Sequence, residues 1–146
     1  MDWDATPDKG TTESAAEATG RTGSVAVLVV DDSPVFRRGM SRAIGLHGGL
    51  ALVGEAHGGE AALDAIERLR PDVVLLDLRM PDIDGLAVLD RLRDLDPAPA
   101  CRVLIVSASL DEEIEQAARA AGAAGCVSKD LARADICAAA LRIARQ

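Results

Sequence analysis

The chain has 146 residues and a formal net charge of −8, a length that predicts one domain with a buried core. Aromatic residues make up 1% of the sequence, which disfavours base-stacking modules, and the negative charge disfavours direct contact with nucleic acid. Apolar runs stay short of the roughly 20 residues of a membrane span, and the three cysteines form no CxxC pair. We therefore expect a cytoplasmic protein with reduced thiols and without direct nucleic-acid or membrane contact.

Residues 1–24 differ from the rest of the chain. They are small, polar and acidic and have no apolar periodicity, which predicts a flexible N-terminal tail. From Val25 onward, apolar runs of strand length alternate with amphipathic stretches of helix length. This alternation predicts five βα units in one α/β domain over residues 25–146.

The apolar runs predict strands at residues 25–30, 50–55, 72–76, 102–106 and 125–128. The first helix is predicted over about 34–47, with Ser33 as N-cap and Pro34 at its first position. A second helix follows Gly58 and Gly59, the third covers about 83–95 and the fourth about 111–121. Apolar periodicity predicts inward positions in the second, third and fifth helices: Ala62, Ala65, Ile66 and Leu69; Val88, Leu92 and Leu95; and Ile136, Ala139, Ala140 and Ile143.

The first, third and fourth predicted strands are apolar throughout rather than alternating. Continuous apolar strands are typical of a parallel sheet that is covered by helices on both faces. With right-handed crossovers, the flavodoxin-like strand order 2-1-3-4-5 puts strands 1 and 3 side by side at the switch point. The sequence thus predicts a doubly wound, five-stranded parallel sheet.

Polar residues follow four of the predicted strands: Asp31 and Asp32, then Asp77, Ser107 and Lys129. The carboxyl ends of parallel strands share one edge, where open α/β sheets hold their ligands. Three crowded carboxylates repel one another, and a divalent cation such as Mg²⁺ relieves that repulsion. The set predicts a site for Mg²⁺ and a phosphoryl group.

A carboxylate can attack phosphorus and form an acyl phosphate, which suits Asp77. Lys129 would stabilise the phosphoryl oxygens, and the Ser107 hydroxyl could hydrogen-bond one of them. His47 and His57 are predicted in solvent-facing loops at the opposite edge. The chain has no GxxxxGK[ST], GxGxxG or GxSxG motif, so nucleotide-binding and hydrolase functions lose support.

The segments VLVVDDSPVFRRGM, RPDVVLLDLRMPDIDG, LIVSAS and AAGCVSKD together resemble the motifs of two-component response regulator receiver domains, which have the CheY-like fold. The resemblance extends from about Val25 to the C-terminus. The wording DDSPVFRRGM, VGEA and SKD is most similar to the NarL/FixJ branch.

This resemblance implies that Asp77 accepts a phosphoryl group from a sensor histidine kinase. It implies that Asp31, Asp32, Asp77 and the Arg79 backbone carbonyl hold Mg²⁺ or Mn²⁺. By the same resemblance, Ser107 is the switch hydroxyl, Lys129 contacts the phosphate, and Ala108 leaves the phosphoryl group accessible, while Arg79 and Ser109 tune dephosphorylation. Such a chain catalyses only its own phosphorylation and dephosphorylation, and it switches protein–protein contacts.

Two positions depart from the family pattern. Cys126 stands where an aromatic side chain usually rotates inward during activation, so the resemblance leaves the relay of the signal open; a buried cysteine is most often a small core residue. Asp130 follows Lys129 where many receivers have proline, although NarL/FixJ receivers often lack it.

The implied partner is a downstream protein or a separate output domain. A homodimer would use helices 1 and 5, or the face of helix 4, strand 5 and helix 5. NarL/FixJ regulators normally continue into a DNA-binding domain, whereas this sequence ends at Gln146. The chain is thus either a stand-alone receiver, which numbering from Met1 favours, or a fragment of a longer regulator.

Two other functions remain open. One is a Mg²⁺-dependent phosphatase or phosphotransferase with Asp77 as nucleophile. Arg79 disfavours it, because such enzymes often place a second aspartate two residues after the nucleophile. The other is a phosphorylation-independent scaffold, which the intact acidic residues disfavour and Cys126 favours.

Overall fold

The computed structural model describes residues 23–95 and 97–146. Over these residues the chain forms one parallel sheet of five strands in the order β2-β1-β3-β4-β5. The predicted fold class and strand order are therefore confirmed. The predicted N-terminal tail lies almost entirely outside the described residues.

The strands agree with the predicted ranges to within one residue. They are β1 (Val25–Val30), β2 (Leu50–Ala56), β3 (Val73–Leu76), β4 (Arg102–Ser107) and β5 (Gly125–Ser128). The agreement follows from burial, because a strand covered on both faces must be apolar along its whole length.

The helices are α1 (Pro34–Gly45), α2 (Gly59–Leu69), α3 (Gly85–Arg93), α4 (Glu112–Ala120) and α5 (Arg133–Ala144). The Ser33 side chain caps α1 and Pro34 is its first residue, as predicted. None of the described helices combines the length and apolar character that crossing a membrane requires.

Side-chain alternation along the strands divides the core into two layers. In β1, Leu28 and Val30 face the layer packed by α2, α3 and α4. The intervening Val27 and Val29 face α1 and α5. Each fully buried aliphatic side chain stabilises the fold by about 1.5–3 kcal/mol, so these two layers hold the sheet edges, and the loops that follow them, in place.

The structure corrects two details of the sequence prediction. Leu95 was predicted to face inward, but it is 46% exposed because α3 ends at Arg93 and the helical periodicity stops there. His57 was predicted at the opposite edge, yet it directly follows the carboxyl end of β2. His47 does lie at the amino end of β2, half-buried, where its Nδ1 accepts a hydrogen bond from the Gly49 N–H at 3.0 Å.

Candidate functional site

Two carboxylates meet where β1 and β3 end side by side. Val30 pairs with Leu76, and the next residues along the chain are Asp31 and Asp77. The Asp77 N–H donates to the Val30 carbonyl at 3.1 Å, which fixes the two chain ends against each other. Asp31 is 1% exposed and Asp77 5%. With exposed Asp32, one carboxylate oxygen of each residue lies within 4.8 Å of the others.

Lys129 reaches this acidic group, formed by Asp31, Asp32 and Asp77, from the end of β5. Its N–H donates to the Ser107 carbonyl at 2.9 Å, so its backbone extends the β4–β5 ladder. Its Nζ lies 2.7 Å from Asp31 Oδ2 and 3.4 Å from Asp77 Oδ2. Burial alone would lower the pKa of Lys129, but the carboxylates of Asp31 and Asp77 outweigh it and raise that pKa.

The acidic group carries more negative charge than Lys129 neutralises. Burial and the nearby Asp31 charge raise the pKa of Asp77, and Lys129 together with the Arg79 N–H only partly oppose them. Among the described residues, the buried Asp31 Oδ2 has no hydrogen bond of good geometry and relies on its ion pair with Lys129. Three clustered carboxylates of this kind fit Mg²⁺ or Mn²⁺, which prefer hard oxygen ligands.

Ser107 ends β4 at the same edge and is 2% exposed. Its hydroxyl is turned into its own loop, where Oγ accepts from the Ser109 N–H at 3.2 Å and donates to the Ser109 carbonyl at 3.3 Å. Ala108 and Ser109 are exposed. The hydroxyl is thus held by its own loop, by contacts that a rotation of the side chain would break.

Cys126 lies in β5 and is half-buried rather than fully enclosed as a core residue would be. It packs against the layer formed with α2, α3 and α4. Burial and the charge of Glu115 raise the pKa of its thiol, with Arg119 acting in the opposite direction. A neutral thiol of this kind is a poor nucleophile. Packing is therefore the role that the surroundings of Cys126 favour.

An open crevice lies beside the carboxylates. Asp32 and Arg79 contribute to its wall, and the Arg79 N–H donates to Asp77 Oδ1 at 3.3 Å. The remaining lining residues are Leu78, Met80, Pro81, Asp84 and Leu86. Exposed Asp32 and this crevice leave the acidic group accessible from solvent.

The start of α3 differs from the one predicted from the sequence. The predicted start at residue 83 is wrong: Asp84 caps the helix by accepting from the Ala87 N–H at 2.8 Å. At Gly85 an added Cβ would lie 2.6 Å from the Asp77 carbonyl oxygen. Only glycine lets the helix start this close to Asp77, and the Asp-Gly pair before an apolar pattern was the local signal for it.

Asp82 was also missed. Its carboxylate accepts from the Gly59 and Glu60 N–H groups, each at 2.9 Å, and so ties the β3–α3 loop to the start of α2. These backbone amides lower the pKa of Asp82 to about 2. No local pattern could reveal this contact, because it joins residues 23 positions apart.

Proteins of known structure share this fold. The family model described as the response regulator receiver domain matches residues 27–141. The "Probable transcriptional regulatory protein NarL" of Mycobacterium tuberculosis H37Rv is 45% identical over 121 residues, which cover 83% of this chain and 55% of that protein. The nitrate/nitrite response regulator protein NarL of Escherichia coli K12 is 37% identical, covering 75% of this chain and 50% of that protein.

Among solved structures, the signal receiver domain of a NarL response regulator from M. tuberculosis superposes with a TM-score of 0.79. The sequence identity is 43%, and the match covers 84% of this chain and 97% of that one. The chain spans about half the length of the curated relatives it matches, which are 55% and 50% covered.

Proposed function

This chain belongs to the response regulator receiver domain family of two-component systems, and we propose that its Asp77 accepts a phosphoryl group from a sensor histidine kinase. The observation that carries the proposal is the environment of Asp77. Its carboxylate is buried, lies against Asp31 and Lys129, and has a raised pKa. A carboxylate in such surroundings gains more than an ordinary surface aspartate from binding a cation and from losing its charge in an acyl phosphate.

Asp31, Asp32, Asp77 and the Arg79 backbone carbonyl are the groups that would hold Mg²⁺ or Mn²⁺. When bound, the cation supplies positive charge that lets the phosphoryl group approach the carboxylates. The mutual proximity of the three carboxylates supports this assignment.

In the transfer, a carboxylate oxygen of Asp77 forms a bond to phosphorus as the P–N bond of the kinase phosphohistidine breaks. The electron pair of that bond returns to the imidazole, which leaves neutral after protonation. The Lys129 ammonium, now 3.4 Å from Asp77 Oδ2, pairs with the new phosphoryl oxygens. Small, exposed Ala108 leaves them room, and exposed Arg79 and Ser109 tune dephosphorylation by water.

Phosphorylation then shifts the loop conformation. The Ser107 hydroxyl exchanges its contacts with Ser109 for a phosphoryl oxygen, which moves the loop between β4 and α4. Cys126 cannot reproduce the inward swing of an aromatic side chain, so the signal leaves this loop without that swing. The output is a changed contact with a downstream protein, an output domain or a second copy of the domain over residues 25–146.

Intact mass spectrometry after incubation with acetyl phosphate and Mg²⁺ tests the phosphoacceptor. We expect a gain of about 80 Da, the mass of one phosphoryl group, which EDTA and Asp77→Asn both abolish. Asp82→Asn is the matched control, because it removes a nearby carboxylate of structural role and should still be phosphorylated. Absence of the mass gain both with acetyl phosphate and with a cognate histidine kinase would contradict the proposal.

A further inference from the structure

We infer that Arg37, held in place by Glu55, is a positioning residue for the cation site, an inference that rests on the proposed function. The two side chains lie in α1 and β2 and belong to neither the acidic group nor the phosphoryl contacts. What they fix is the backbone that carries Asp31 and Asp32.

Arg37 contacts the peptide bond between Asp31 and Asp32. Its carbonyl oxygen accepts a hydrogen bond from Arg37 Nη1 at 2.7 Å, while the Asp31 N–H donates to the Ala56 carbonyl at 3.1 Å. A peptide unit is planar, so a fixed carbonyl oxygen also fixes the nitrogen of Asp32. Arg37 therefore sets the direction in which the chain leaves Asp31.

Asp32 depends on this backbone more than Asp31 does. The Asp31 carboxylate has its own anchors, the Ser33 N–H at 2.9 Å and the Lys129 ammonium at 2.7 Å. Asp32 is exposed, and its carboxylate remains close to the other two through the position of its main chain. A shift of the Asp31–Asp32 peptide would thus move Asp32 and strain the Ser33 hydrogen bond, while Lys129 would still hold the Asp31 carboxylate.

The Arg37 side chain is itself fixed. Its Nε lies 3.3 Å from Glu55 Oε1, and both side chains are mostly shielded, 19% and 25% exposed. The second oxygen of Glu55 accepts from the Ser41 hydroxyl at 2.9 Å, one helical turn beyond Arg37. A guanidinium can serve two acceptors with its rigid fork of donors, whereas a lysine ammonium lacks that geometry.

The charge of Arg37 and its positioning role predict opposite changes in Mg²⁺ affinity when the side chain is removed. A positive charge near a cation site repels the cation, so removing it should strengthen Mg²⁺ binding if charge alone matters. If Arg37 positions Asp32, removing it should weaken binding. The sign of the change therefore separates the two roles.

The test is calorimetric titration of the full chain with Mg²⁺, without phosphodonor. We expect Arg37→Met to raise the Kd about tenfold, the usual loss when a partner that orients a metal ligand is removed. The matched control is Arg38→Met, which deletes the same charge from the exposed neighbouring side chain and should leave the Kd within about twofold. Arg37→Lys, which keeps the charge, should raise the Kd by a smaller factor of about three and serves if Arg37→Met does not fold.

Glu55 supplies the conservative comparison. Glu55→Gln retains an acceptor for Arg37 Nε and should keep the Kd within about twofold, whereas Glu55→Ala should weaken binding several-fold. In metal-free protein, Arg37→Met should also speed hydrogen exchange of the Ser33 amide, which donates to Asp31, while Arg38→Met should not.

Unchanged or tighter Mg²⁺ binding in folded Arg37→Met or Arg37→Lys would overturn the inference and leave the proposed function intact. No Mg²⁺ binding by the unsubstituted protein would overturn both. These two failures are distinguishable because the unsubstituted chain is titrated in the same series.

Discussion

Asp77 and Asp82 lie in the same segment between β3 and α3, yet their carboxylates meet different surroundings. Asp82 is on the surface and accepts two backbone N–H groups at 2.9 Å, which lower its pKa to about 2. Asp77 is buried beside another carboxylate, and its pKa is raised. The Asp82 carboxylate is satisfied by backbone hydrogen bonds, whereas the Asp77 carboxylate is satisfied only in part and depends on added positive charge.

This contrast separates structural from functional aspartates in one loop. Backbone N–H donors favour the ionised form of a carboxylate, and the same hydrogen bonds stabilise the fold. A carboxylate crowded by burial and like charge costs stability, a cost typical of functional sites. The contrast predicts that substitutions around the two residues will differ in size, in pH dependence and in response to Mg²⁺.

The largest loss of stability is expected for Lys129→Met. It leaves the buried Asp31 Oδ2 without its ion-pair partner, and breaking a buried pair costs about 3 kcal/mol. Urea denaturation in EDTA should show this loss, and Mg²⁺ should narrow the gap because the cation replaces the missing charge. The double variant Asp31→Asn/Lys129→Met should recover most of the stability. A loss below about 0.5 kcal/mol, the range of ordinary surface substitutions, would contradict this account.

Gly85→Ala should cost about 2 kcal/mol of stability, since an added Cβ would press on the Asp77 carbonyl oxygen at 2.6 Å and on Leu78 Cα at 3.0 Å. Because the conflict is with backbone, the start of α3 must move away from Asp77. The matched control is Gly45→Ala in α1, where an added Cβ meets nothing within 4 Å. Equal midpoints of thermal unfolding for the two variants would contradict a destabilising contact at Gly85.

Asp82→Asn should cause a smaller, pH-dependent loss of stability. The loss should be about 1 kcal/mol at pH 7, as when a helix-capping carboxylate is removed. The folded pKa of Asp82 is about 2, below the ordinary 3.8, so its stabilisation is complete well above pH 3.8 and is lost as the pH falls towards 2. The stability difference from the unsubstituted chain, measured by urea denaturation, should therefore shrink between pH 7 and pH 3. A stability difference for Asp82→Asn that is constant with pH would rule out this role.

Most of the sheet could be predicted from the sequence because burial on both faces demands continuous apolar runs. The positions of Asp31, Asp77 and Lys129 then follow from the shared carboxyl edge of parallel strands. Helix ends were less predictable: α3 starts at Gly85 because Asp84 caps it, and Leu95 is exposed because the helix has already ended.

Contacts between side chains that are distant in the sequence could not be predicted from it. Arg37 and Glu55 stand in separate elements, and Asp82 meets the start of α2 across 23 positions. Periodicity reports which face of an element is buried, but it carries no information about which polar groups meet in three dimensions. The role of Gly85 is of the same kind, since it depends on a close approach to backbone that is distant in sequence.

Locating the phosphoryl group within the chain tests the assignment of Asp77 most directly. After incubation with acetyl phosphate and Mg²⁺, borohydride reduction converts an aspartyl phosphate to homoserine, and peptide mass spectrometry finds the modified residue by a loss of about 14 Da relative to aspartate. We predict homoserine at Asp77 and none at Asp31, Asp32 or Asp82. Homoserine at one of those other residues, with Asp77 unmodified, would contradict the assignment of Asp77 as the phosphoacceptor.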